Sequence, residues 1–187
     1  MEVKELRPGL WRWTASHPEW DHAETWGPDV ASVYAELPEA VVVVDPLVPE
    51  DEEERFWSAL DRDVERSSRP VHVLLTVHWH ERSVAAVLDR YHATLWRPEQ
   101  QGPLPAGVRA EVVKGSDWLE ALFFLEQHRA LVAGDRSSAR TAGSSCRWSG
   151  SRRTSADGPA PSSSRTCESD WPRCRSSSYS SPTAPRS

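Results

Sequence analysis

Leu74-Leu75-Thr76-Val77-His78-Trp79-His80-Glu81-Arg82-Ser83 is the stretch on which the reading of this chain turns. A β-branched and leucine-rich run, Val71 to Val77, ends in two histidines two residues apart. It then passes into a helical pattern, Arg82 to Tyr91, with Val84, Val87, Leu88 and Tyr91 on one face. An apolar strand without alternation suits burial on both faces, as in an open α/β sheet. Such sheets carry their ligand sites just beyond the carboxyl ends of the strands, where His78 and His80 fall. In extended backbone, residues two apart project to the same side, so these imidazoles make half of a metal site or a pair of partly exposed loop histidines.

The preceding unit has the same plan. Leu10 to Trp13 alternates as a half-buried strand does, and Trp20 to Pro28 is a polar, tryptophan-bearing loop. Asp29 to Glu36 and Ala40 to Asp45 read as strands joined by a turn at Leu37-Pro38-Glu39. Pro46 and Pro49 close the second, and Glu50 to Arg66 is a helix burying Phe56, Trp57, Leu60 and Val64. Its acidic start, Glu50 to Glu54, suits the helix dipole and reads as a solvated face. Downstream come short strands at Ala93 to Trp96, Val108 to Val113, Leu119 to Leu125 and Ala130 to Ala133, with Glu126 to Arg129 as the last turn. Alternating strands and helices followed by antiparallel strands predict a mixed α/β domain.

Composition bounds the function. Residues 1–135 hold 13 Lys and Arg against 25 Asp and Glu, a net charge of -12, which argues against nucleic acid as a partner. Residues 136–187 hold nine Arg against three acids, 17 Ser, and no Leu, Ile, Val, Met or Phe. Such a tail cannot bury enough apolar surface to offset the entropy of ordering it and is expected to be disordered. No apolar run is long enough for a membrane span, Met1 to Leu10 does not read as a secretory signal, and no cysteine precedes Cys146. Cytoplasm is the expected compartment. No serine-histidine elbow, P-loop or dinucleotide fingerprint is present.

Four pieces in order, Val43-Val44-Asp45-Pro46, a helix, Leu75-Thr76-x-His78-x-His80, and Leu131-Val132-Ala133-Gly134-Asp135, resemble the metallo-β-lactamase-fold hydrolases. The resemblance runs from about Leu10 to Asp135 and implies an αββα sandwich, incomplete here. It also implies an ancestral activity of metal-dependent ester, thioester or amide hydrolysis, using one or two zinc or iron ions. In that family a His-x-His-x-Asp-His loop supplies most ligands and a later Gly-Asp the bridging carboxylate. His78, His80 and Asp135 match three of those positions. Glu120 falls where a fourth ligand, a histidine, would stand.

Arg82 occupies the place of the family's aspartate and Ser83 that of its next histidine. A fixed positive charge about 4 Å from a divalent ion, at an effective dielectric near 20, repels it by roughly 8 kcal/mol. The resemblance therefore implies an eroded site holding one zinc or iron ion or none. Arg82 is expected to pair with Asp135 or Glu120, or to hold a small anionic ligand in a non-catalytic pocket. His17, His22, Trp20 and Trp26 form its rim or simply pack. His72 and His92 are structural, and His128, at a turn tip, is expected to face solvent.

Read in another frame, the tail changes character. Joining the last base of each codon to the first two of the next, residues 136–155 can encode VLRADGGLVLPVEWLPEDV and residues 171–187 AAVPVELVLLSHGAPV. Apolar strands and a Ser-His-Gly return, as the family's carboxy-terminal third would require. The expected organisation is thus 1–135 as a partial domain and 136–187 as an out-of-frame tail. The competing reading is a genuine Ser/Arg-rich arm that binds RNA or acidic partners.

Overall fold

Four consecutive valines, Val41–Val44, form a strand buried at every position, and the sheet is built outward from it. In the computed structural model, which describes residues 1–24 and 26–135, this strand is β4. On one side it pairs antiparallel with β3 (Asp29–Glu36), which continues to β2 (Leu10–Ser16) and β1 (Glu2–Arg7). On the other it pairs in parallel with β5 (Val71–Leu74), followed by β6 (Thr94–Trp96), giving a six-stranded sheet in chain order. The parallel steps are crossed by α1 (Glu53–Ser67) and α2 (Val84–Tyr91). Phe56 and Leu60 of α1 pack on Trp13, Tyr34, Val41 and Val43, while Val84 and Val87 of α2 pack on Val73 and Leu75.

The other face of this sheet is closed by an antiparallel one, β7 (Val108–Lys114), β8 (Leu119–Leu125) and β9 (Ala130–Val132). Ala121, Phe123 and Leu125 alternate inward from β8 against Leu10, Leu37, Val44, Leu74 and Trp96. A backbone bond from Ala121 N to Thr76 O at 2.7 Å stitches β8 to the segment just beyond β5. The expected α/β sandwich is formed: a helix layer, a six-stranded sheet and a three-stranded sheet. A second, outer helix layer is not among the described residues, and the expectations for 136–187 lie outside them. No helix among the described residues is long and apolar enough to cross a membrane.

Three local differences from the sequence reading have physical causes. β1 carries no apolar periodicity because all six of its residues are exposed on an edge strand. The acidic run before α1 is a 3-10 turn, Glu50–Glu52, and Glu52 is not merely solvated: it receives the Met1 ammonium at 2.6 Å. β5 ends at Leu74, three residues early, because Thr76 turns to bond Asp45 rather than a neighbouring strand.

Candidate functional site

Strand register brings the site together. Val44 lies opposite Leu74, so Asp45 emerges beside Leu75 and Thr76 at the carboxyl ends of two parallel strands. Asp45 is buried and sits at φ +48°, a conformation that aspartate tolerates better than most residues. Its Oδ1 accepts from Thr76 N at 2.8 Å, and its Oδ2 from Thr76 Oγ1 at 2.5 Å and His80 Nδ1 at 2.9 Å. The other nitrogen of His80, Nε2, lies 3.0 Å from Asp135 Oδ2, and Trp79 Nε1 donates to the same oxygen at 3.4 Å.

Carboxylates only accept, so a proton on each ring nitrogen of His80 satisfies both bonds, and the Thr76 hydroxyl lies 3.1 Å from Nδ1 as well. Burial works against that charge. The hydrogen bonds to Asp135 and Asp45, with the charge of Asp45, outweigh it and raise His80 above the ordinary 6.5. The bond from His80 in turn holds Asp135 below its ordinary 3.8, against the cost of burial. The two shifts define a window. A raised histidine stabilises the fold below 6.5 and loses its effect as pH rises through the folded value. A lowered aspartate contributes above 3.8 and fails as pH falls. The melting gap between the wild-type chain and His80→Gln is therefore expected to be wider at about pH 5.5 than at about pH 8.5. Parallel melts of the two proteins check this; a gap that does not change with pH contradicts it.

Of the four proposed metal ligands, the fold brings His80 and Asp135 together and leaves His78 apart. His78 to His80 is a 3-10 turn, not extended chain, so the two imidazoles diverge. His78 is half-exposed with Nδ1 3.7 Å from Glu99 Oε1, while His80 is sealed in. Glu120, fully buried on β8, stands with Thr76 Oγ1 around Gly134: each lies 2.7 Å from where a Cβ on that glycine would be. That close approach is the reason for a glycine before Asp135. Among the described residues no three His, Cys, Asp or Glu side chains surround a common point. With both nitrogens of His80 committed to carboxylates and a guanidinium close by, the donor set as arranged does not fit a zinc or iron ion.

Arg82 is half-buried, and burial lowers its pKa while Asp45 and Asp135 oppose that. Its Nη1 reaches two carbonyls, Asp45 O at 3.4 Å and Ala31 O at 3.5 Å, and its charge acts on Asp135. An anion-binding use is not favoured, because the charges acting on it are already carboxylates. Burial, then the charge of Arg82, lowers the pKa of His17, with His80 adding to the effect against Glu19. Trp26 packs edge-on against His17 and Trp20 against His22. His128 is corrected outright. It is buried, not solvent-facing, and its Nε2 lies 2.8 Å from Glu36 O.

No protein-family profile and no curated protein matches the chain. Among solved structures, the crystal structure of VMB-1 at pH 5.5 is similar at 10% identity and TM-score 0.45, over 70% of this chain and 67% of that one. The DIM-1 metallo-β-lactamase exposed to ceftazidime gives 12% identity and TM-score 0.45 over the same shares. A metallo-β-lactamase from Erythrobacter litoralis gives 13% and 0.37, over 66% of this chain and 60% of that one. Likeness at that level assigns neither family nor activity.

Proposed function

We propose that this chain is a hydrolase-like protein of the metallo-β-lactamase type in which an Asp45–His80–Asp135 ionic network stands where the metal centre would be. On this reading it has no metal-dependent hydrolytic activity of its own. The observation that carries it is the double engagement of His80, with carboxylate oxygens at 2.9 Å and 3.0 Å on its two nitrogens. A metal would have to displace one of these bonds and approach Arg82 as well. Metal analysis of the purified full chain after zinc or iron loading is expected to find well below one equivalent. One equivalent of either metal, lost in a His78→Ala/His80→Ala variant, would refute the proposal.

The same reading takes 1–135 as the part of the domain encoded in frame, and 136–187 as its continuation read out of frame. Its support is the apolar, Ser-His-Gly-bearing text that the shifted codons can spell. Gene sequencing tests it: stop codons soon after the Asp135 codon in the shifted frame would end the idea.

A further inference from the structure

The loop from Asp45 to Val48 leaves β4 and runs to the acidic turn before α1, with Asp45, Pro46 and Leu47 buried. A buried loop cannot rely on water, so each of its backbone polar groups needs a protein partner. Those partners can be followed along it. Asp45 N donates to Leu74 O, and Asp45 O accepts from Ser32 Oγ at 2.7 Å and from Arg82 Nη1 at 3.4 Å. Pro46 O accepts from Ser83 N at 3.1 Å. Leu47 N donates to Ser32 Oγ at 3.1 Å, and Leu47 O accepts from Trp13 Nε1 at 2.8 Å. Val48 N donates to Ser83 Oγ at 2.9 Å.

Arg82 and Ser83, the two residues of the histidine loop that depart from the ligand pattern, thus supply three of these bonds. We infer that Arg82 and Ser83 form a clasp that fastens the β5–α2 loop onto the buried Asp45–Val48 loop, fixing the backbone from which Asp45 reaches His80. Arg82 holds φ at +24°, a strained value for a residue with a side chain, and the bonds on either side keep it there. The two residues are positioning residues: neither carries chemistry, and both act through Asp45. The clasp rests on these bonds alone and does not require the metal-free reading above.

Hydrogen exchange of the full chain reads the clasp locally. Ser83→Ala is expected to speed exchange at Val48 N–H by at least about tenfold relative to the amides of β4, and Ser83→Thr, which keeps the hydroxyl, to restore protection. The double variant Arg82→Asp/Ser83→His, which reinstates the residue types of the ligand pattern, is expected to melt several degrees lower than wild type, with or without zinc. Unchanged Val48 exchange in Ser83→Ala, or a double variant melting with wild type, overturns the clasp. Zinc uptake by the wild-type chain would instead count against the proposed function, so the two fail separately.

Discussion

Replacing Asp45 by alanine is expected to remove about 3–5 kcal/mol of folding stability, because it strands three buried donors at once. Thr76 N, Thr76 Oγ1 and His80 Nδ1 all converge on its carboxylate, within 2.8, 2.5 and 2.9 Å. No other group in the network is positioned to accept from all three. His80 would keep only Asp135 as a carboxylate partner, so its charge would be buried with half its compensation. Thermal unfolding should show a fall on the order of 10 °C. Asp45→Asn keeps one oxygen but replaces the other with a donor facing His80, so it should retain only part of the lost stability. A loss below about 1 kcal/mol for Asp45→Ala would mean the network is peripheral to folding.

Phe123→Ala is expected to be as damaging, by a different route. Phe123 is fully buried between the two sheets, edge-on to Trp96 with ring centroids 5.1 Å apart. Removing a ring of this size from a closed core costs about 3–5 kcal/mol, since the sheets cannot collapse onto the void. Its neighbour Phe124 points the other way, half-buried with the Arg109 guanidinium 4.9 Å over its ring, and the same substitution there should cost far less. Denaturant titration of both variants separates the faces of β8. Equal losses would place the inter-sheet core elsewhere.

The layers were legible in the sequence because they rest on local apolar patterns. Val41–Val44 and the Val71 run declare strands buried on both faces, and Phe56 with Leu60 declares the buried face of α1. The site was legible only in part. His80 and Asp135 were singled out by sequence and do meet. Asp45 stood in a recognised motif, but its role depends on Thr76 and His80, 31 and 35 residues away, brought beside it by the parallel register. His78 was misplaced because a 3-10 turn rotates alternate residues apart where extended chain aligns them. His128 reads as a turn tip, and nothing local reveals that it serves Glu36 O, 92 residues earlier. Long-range hydrogen bonds of this kind leave no periodicity in the chain.

The most direct test is the nitrogen-15 spectrum of the His80 ring in the full chain, recorded at about pH 6 with and without equimolar zinc. The ionic network predicts an imidazolium with protons on both nitrogens and resonances unmoved by zinc. A neutral ring whose nitrogen shifts on zinc addition would contradict it, and would mean that His80 is a metal ligand after all.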